Sequence, residues 1–529
     1  MIKTDVYLKI GYTKDDIKDA ICARLPIERC ALSDICVLRS ELSLKDKSKP
    51  EYKLSVGISL PPEREAGLLN MRKKVSAVPD CTLTLPMASV EGRPVVVGAG
   101  PCGLFAALIL AEAGARPVVL ERGEPVFQRR KKVELFSKLG ILDTESNVQF
   151  GEGGAGTYSD GKLKVGSMDK YKMKVLREFV NAGANDDILH SVTAHLGTDK
   201  LSDIVAGLRN KIISLGGEFI YSARLVDIEV RDGRISSLKY EKAGESITLP
   251  AADVVLAIGH SARDTFEMLY KKGIPMSAKG FGIGVRIEHP REYINELVYG
   301  NGYDRRLETA SYHLVTHLKN GRSVYSFCMC PGGTVVPAAS ESGGIVTNGM
   351  SEYLRDGENS NAALLVSVTP ADFSSQHPLA GMELQRRIER CAYSIGGENY
   401  AAPAIRLEDF KSTTDKATVG SVKPTYPVGI TPARPEDYLP SYITESLRAS
   451  ISDFDEWMGG YYYPDAVLTG PETRTTSPVR ILRGENHMIP NHIGIYPAGE
   501  GAGYSGGIVS SATDGVRCAI SLLQRYEKI

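Results

Sequence analysis

Hydrophobic and polar positions change rhythm several times along the chain. Val6-Tyr7-Leu8-Lys9-Ile10 alternates as a half-buried strand does, and Thr13 with Asp16 can cap a helix running through Asp19 to Leu25. Ile35 to Leu44 and Glu51 to Ile58 supply two more strand candidates around the polar run Lys45 to Lys49, and a charged helix opens at Pro61-Pro62. Residues 1–88 are therefore expected to form a small α+β unit of ferredoxin-like arrangement. At Arg93 the pattern switches: Pro94 to Gly98 is a continuous apolar run, Gly98 to Ala113 reads as turn and helix, and Pro117 to Glu121 is a second apolar run. Continuous apolar strands flanking a helix are what a parallel sheet covered on both faces requires.

Phe219 to Pro250, interrupted at Asp232-Gly233 and Gly244-Glu245, predicts a short antiparallel meander, and Asp253 to Ile258 returns to the parallel type. Residues 276–470 mix short strands, glycine loops and a helix around Leu379 to Ala392. Ile493 to Ala498, a glycine loop and a helix Ile508 to Leu523 then add a last strand and helix. The expected fold is α/β, a Rossmann-like domain in two parts (89–275 and 471–529) around an inserted α+β substrate or cap lobe (276–470).

Composition narrows the function classes. With 529 residues, 42% hydrophobic, 24% charged and a net charge of -1, the chain reads as soluble and globular, with no expected nucleic-acid or membrane partner. Nine scattered cysteines form neither a disulfide scaffold nor paired CxxC zinc sites, so no metal is expected. Met1-Ile2-Lys3-Thr4-Asp5 has no apolar leader, and Glu112 and Arg116 interrupt Val95 to Leu120, the run nearest to a membrane span. A cytoplasmic location is expected. The 53 glycines cluster in short runs where backbone must approach something closely.

Val95-Val96-Val97-Gly98-Ala99-Gly100-Pro101-Cys102-Gly103 carries the strongest chemical signal, a GxGxxG that follows a strand and opens a helix. Gly98 permits the turn, Gly100 admits a pyrophosphate to the backbone, and Gly103 with Ala107 lets helix and strand pack closely. The helix start, from Pro101 and Cys102, offers free N–H groups and a positive dipole end to phosphate. Glu121, 18 residues after Gly103 at the end of the next strand, can accept from an adenosine ribose and disfavours a 2′-phosphate. FAD or NAD, not NADP, is the expected ligand. Gly506, Gly507 and Ile508 open the last helix, whose amides could face a flavin carbonyl by the same dipole argument.

With Arg122 directly after Glu121, the motif resembles that of the glutathione-reductase-like flavoproteins. That superfamily has a second strand ending in A-x-G, which Ala257-Ile258-Gly259 is similar to, and a late motif with an acidic residue beside the ribityl chain. Ile493-Gly494-Ile495-Tyr496-Pro497-Ala498-Gly499-Glu500 is similar to the late motif, with Glu500 where aspartate is usual. Over nearly its whole length the chain resembles bacterial FAD-dependent dehydrogenases of unassigned substrate, often labelled NAD(FAD)-utilising dehydrogenases. That likeness also rests on the strings Phe150 to Leu163, Phe327-Cys328-Met329-Cys330-Pro331-Gly332-Gly333 and Glu472 to Arg480. It implies an FAD fold and a redox role, and no substrate.

Gly153, Gly154, Ala155 and Gly156 could bring backbone amides to the cofactor, and Lys162 near N5 could favour reduced flavin or activate oxygen; a surface lysine is the plain alternative. Cys328 and Cys330 fit a CxxC exchange site poorly, yet side chains i and i+2 of a strand share a face. Packing, a strained disulfide and a thiol nucleophile are all compatible with that spacing. Arg474, Arg480 and Arg483 form a basic set that could hold a carboxylate or phosphate, unless Glu472 neutralises them internally. His260 could touch the adenosine end, and His487 and His492 are acid–base candidates that suit structural roles better. Gly282-Ile283-Gly284 lacks a third glycine, so no second dinucleotide domain is expected and NAD(P)H could act only as a transient donor. The expected activity is hydride transfer at flavin N5 on a small organic substrate. A monooxygenase or oxidase, and a flavin-bearing sensor docking a partner through its N-terminal unit, are the alternatives.

Overall fold

In the computed structural model, which describes residues 1–32, 34–70, 74–163 and 169–527, five three-residue strands form an all-parallel sheet. Their order is Ile495–Pro497, Val254–Leu256, Val95–Val97, Val118–Leu120, Glu218–Ile220. The middle strands are entirely buried, as their unbroken Val-Val-Val and Val-Val-Leu sequences require. The helix Pro101–Glu112 lies between this sheet and the C-terminal helix Ile508–Gln524, so residues 102 to 111 are all buried. Leu104, Phe105, Leu108, Ile109 and Leu110 each contribute roughly 1.5–3 kcal/mol through that burial. The two helices meet closely at Gly515, where an added Cβ would lie 2.1 Å from the Cys102 carbonyl oxygen.

The meander is present as Arg224–Arg231, Arg234–Lys242 and Glu245–Pro250, and it sits on the opposite face with Phe266 and Leu269 of the helix Arg263–Lys271. The chain then enters a seven-stranded sheet. Its order is Val315–His317, Ser323–Cys330, Asn359–Val368, Phe281–Pro290, Val467–Glu472, Ala402–Arg406, Ile430–Pro432, with only the last pair parallel. The helices Arg291–Tyr299 and Ser441–Trp457 cover it through Ile294, Ile443, Leu447, Ile451 and Phe454. Val467–Glu472 crosses residue 470, and the chain returns toward the parallel-sheet half where Val479–Ile481 pairs with Met276–Ala278.

Residues 2 to 77 follow a β-α-β-β-α-β order, with sheet neighbours Asp34–Ser43, Glu51–Ser59, Ile2–Lys9 and Ser76–Ala77, all antiparallel. Thr13 and Asp16 form a full capping box on the helix Lys14–Arg24, whose Ile17 and Ile21 pack on Ile2, Val6 and Leu54. This unit is stitched to the rest where the Ser40 N–H donates to His190 and the Val192 N–H donates to Ser40. Among the described residues no helix is long and apolar enough to cross a membrane.

Candidate functional site

Three glycine segments meet at the start of the helix Pro101–Glu112. Gly98 adopts φ +102°, and a Cβ there would lie 2.3 Å from the Ala257 carbonyl oxygen; a Cβ on Gly103 would lie 1.8 Å from the Gly98 oxygen. Gly100 is the N-cap and has no side chain to satisfy the first-turn amides, which keeps those of Cys102 and Gly103 free of intrahelical acceptors. The Gly153 N–H donates to Ala99 O at 2.8 Å, laying the Gly153-Gly154-Ala155-Gly156 loop over the turn. At the other side, Cβ atoms on Gly499 and Gly501 would collide with Cys102 and with the Gly259 carbonyl oxygen. Gly259 and Gly506 face open space instead. The cradle thus has tight seams and an open front, as a bound dinucleotide requires.

Glu121 is the knot of this cradle. Its carboxylate accepts the amides of Ala99 (2.7 Å), Gly123 (2.9 Å) and Gly151 (2.9 Å). A carboxylate has about four lone-pair directions, so at most about one is left for the ribose contact expected from sequence. Arg129, fully buried and unforeseen, organises the glycine loop by donating to the carbonyls of Asn147, Val148, Gly151, Glu152 and Gly154. Arg122 lies over the Phe150 ring at 4.0 Å and pairs with Glu145 and Asp264. It borders a polar cleft of about 300 Å³ lined also by Arg224, Ser261 and Arg263.

The late motif places Glu500 next to His260, 3.7 Å from its Nδ1. Burial pushes the Glu500 carboxyl up to about 7, against the pull of Lys279 and the Gly507 amide. Burial, with Arg474 and Arg263 nearby, pushes His260 down to about 3, so the ring is neutral. Its Nε2 is buried and has no partner among the described residues. The Gly259 turn sets His260, which the sequence suggested could touch an adenosine, beside Glu500. An unpartnered buried ring nitrogen beside the open cradle fits a cofactor with polar edges. Ile508 packs on Gly156, joining the last helix to the glycine loop.

Lys162 reaches across to the cap sheet, where its Nζ donates to Met329 O. Arg286, fully buried on the central strand, donates to Glu472, Asn361 (3.0 Å), Asn348 (3.1 Å) and Cys328 O (2.9 Å). Asp160 pairs with Arg355 at 2.9 and 2.5 Å, another buried bond between glycine loop and cap. The hydrogen bond from Cys330 pulls the Cys328 thiol down to about 6, helped by Arg286 and Lys162 and opposed by burial, while Cys330 is pushed well up. Burial holds Glu472 up at about 7 despite Arg286.

The basic set expected as one anion clamp is divided three ways. Arg474 is buried and donates to both oxygens of Glu389 (3.1 and 2.9 Å) and to Ser340, while Arg263 grips the same carboxylate from the other side. Its guanidinium is therefore engaged. Arg480 is exposed, leaning on Tyr504 and Gly503 O, and Arg483 pairs with Asp514 at 2.7 Å. Glu472 neutralises none of them, because it is paired with Arg286 of the neighbouring strand. Arg483 also fills the space among His487, Asp514 and Cys518, a trio with metal-ligand spacing, by donating to Asp514 and to the Cys518 sulfur. His487 meets Ser521, and His492 meets the Pro490 carbonyl.

A family described as FAD binding domain matches residues 93–144, and one described as FAD-dependent protein, C-terminal domain-like, matches residues 280–475. An uncharacterized protein of Clostridium beijerinckii is 42% identical over 523 residues, 97% of this chain and 96% of the relative. Among solved structures, a quinol fumarate reductase FrdA variant of E. coli is 13% identical with a TM-score of 0.37, covering 83% of this chain and 70% of its own. A 3-ketosteroid-Δ4-(5α)-dehydrogenase of Rhodococcus jostii RHA1 is 13% identical with a TM-score of 0.36, covering 83% and 100%.

Proposed function

We propose, from the premise that this chain belongs to one family with its Clostridium beijerinckii relative and carries an FAD binding domain and the C-terminal domain of FAD-dependent proteins, that it is an FAD-dependent oxidoreductase acting on a small organic substrate. The observation that carries this reading is the cradle, in which Gly98 closes on Ala257, Gly154 on Gly100, and Gly499 and Gly501 on Cys102 and Gly259, while the first-turn amides stay free. FAD, when bound, supplies two-electron hydride chemistry at its N5 atom. The protein's residues do the rest. The Cys102 and Gly103 amides at the helix start and the Ala155 and Gly156 amides of the glycine loop bind the diphosphate, and Glu121 fixes the relative position of turn and loop. Glu500, titrating near neutrality beside neutral His260, holds and releases a proton at a carboxyl oxygen within the site. Lys162, anchored on Met329 O, carries positive charge to the cap side.

NAD(P)H serves in this proposal as a transient electron donor at an open face. The protein works in a reducing cytoplasm, which suits its nine free cysteines, and takes no nucleic acid. The test is anaerobic purification, a visible spectrum, and separate rapid mixing with NADH and NADPH. Flavin absorbance that bleaches quickly with one nucleotide supports the whole reading. Bound flavin that bleaches only with an organic reductant removes the NAD(P)H step. Folded protein that neither carries nor takes up flavin sinks it.

A further inference from the structure

The cap strand Ser323–Cys330 is regular as far as Phe327, which lies opposite Ala363; the next pairing sets Cys330 opposite Asn361, so one extra residue is accommodated. Cys328 takes up that irregularity at φ +40°, in the left-handed region where a residue with a Cβ is strained. In a regular strand, residues i and i+2 stand about 6.8 Å apart at a rise of roughly 3.4 Å each, the outer limit of what a disulfide spans. Here the strand is bulged between them, and the Cys330 thiol turns back to donate to the Cys328 carbonyl oxygen at 3.4 Å. Two cations fix the turn between them: Arg286 holds Cys328 O and Lys162 holds Met329 O. Cys328 is half-buried, whereas Cys330 is buried. The less buried residue of the two carries the more acidic thiol, beside Arg286 and Lys162, the asymmetry that separates an attacking from a resolving sulfur.

We propose that Cys328 and Cys330 are a redox-active dithiol, with Cys328 as attacking thiolate and Cys330 as resolving thiol, and that the substrate it takes is an organic disulfide. The Cys328 thiolate attacks one sulfur of RS–SR, forming a mixed disulfide and expelling RS⁻, which takes the Cys330 proton. The Cys330 thiolate then attacks the Cys328 sulfur, closing the Cys328–Cys330 bond and releasing the second RS⁻, which is protonated from water. The substrate is reduced by two electrons and the cysteine pair oxidised by two. The two-electron reductant that resets the pair is the flavin of the proposed function, and in that clause alone the inference rests on it.

The chemistry of the sulfurs is tested without turnover, on protein with and without flavin. Iodoacetamide labelling of Cys328, read by peptide mass spectrometry, should be half-maximal near pH 6. At pH 6.5 the gain in thiolate over an ordinary cysteine is roughly 75-fold and lower nucleophilicity returns more than ten-fold, leaving about five-fold faster labelling. Lys162→Met should slow it. Hydroxyethyl disulfide should leave one adduct on Cys328 in Cys330→Ser and an internal Cys328–Cys330 disulfide in the parent. Labelling of the parent with an ordinary cysteine profile, or folded Cys330→Ser that forms no adduct, overturns the dithiol. Loss of the flavin reading is seen separately, in the visible spectrum.

Discussion

Replacing Gly103 with alanine tests the cradle most directly. The new Cβ would lie 1.8 Å from the Gly98 carbonyl oxygen and 2.9 Å from its carbon, so turn and helix must part by more than an ångström. Overpacking costs roughly 1–3 kcal/mol where side chains can yield, and here backbone faces backbone, which points to about 3 kcal/mol. Relief comes from the turn swinging off the helix start, where its amides no longer converge. If that strain falls on the cofactor-bound state, the dissociation constant for FAD rises by about two powers of ten. Titration of flavin-stripped protein, followed by quenching of FAD fluorescence, measures it. Gly67→Ala is the control, because nothing lies within 4 Å of its Cβ in the helix Pro62–Leu69. Gly103→Ala that binds FAD within three-fold of the parent, as Gly67→Ala should, would refute the reasoning.

Glu389→Gln leaves Arg263 and Arg474 buried without their shared carboxylate, which should destabilise the protein by about 3–5 kcal/mol and lower its thermal midpoint by roughly 3–5 °C; an unchanged midpoint contradicts the network. Glu500 is raised from 4.5 to about 7, so its contribution to stability is complete below pH 4.5 and lost as pH rises through about 7. Glu500→Gln should therefore flatten the fall in stability of flavin-free protein between pH 5 and 8, by at most about 1.4 kcal/mol per pH unit; parallel curves for variant and parent would dismiss it. Asp160→Asn strands Arg355 and should loosen the glycine loop, seen as faster amide exchange at residues 153 to 163 with the helix Ser441–Trp457 unaffected.

The strand, turn and helix from Val95 to Glu112 were legible because their constraints are local: a run of valines, then glycines where backbone touches backbone. The same holds for the Thr13–Asp16 cap and for the helix at Ala380–Ile395, which expectation placed around Leu379 to Ala392. The charge network was not legible. Arg474 meets Glu389 across 85 residues and Arg286 meets Glu472 across 186, so proximity in sequence grouped Arg474, Arg480 and Arg483 falsely. Arg129 was missed for a related reason: a basic run on a helix reads as a solvated face, and only the fold turns this one arginine inward onto five carbonyls. The sequence left Cys328 open among three readings, since strand alternation carries no sign of a bulge.

The parallel sheet has an edge strand, Ile495–Pro497, that is made long after its neighbour Val254–Leu256. At synthesis rates of about 5–20 residues per second, roughly 10–50 seconds separate the two on the ribosome. Throughout that interval the nascent cofactor-binding half has an unpaired edge at Val254–Leu256 and lacks the helix that buries Leu104 to Ala111, a template for wrong pairing. The cap can fold meanwhile, but the cradle cannot close before Gly499 and Gly515 arrive. Cofactor loading is thus a late event in the life of each molecule, and chains stalled before residue 495 are the ones a chaperone should be found holding.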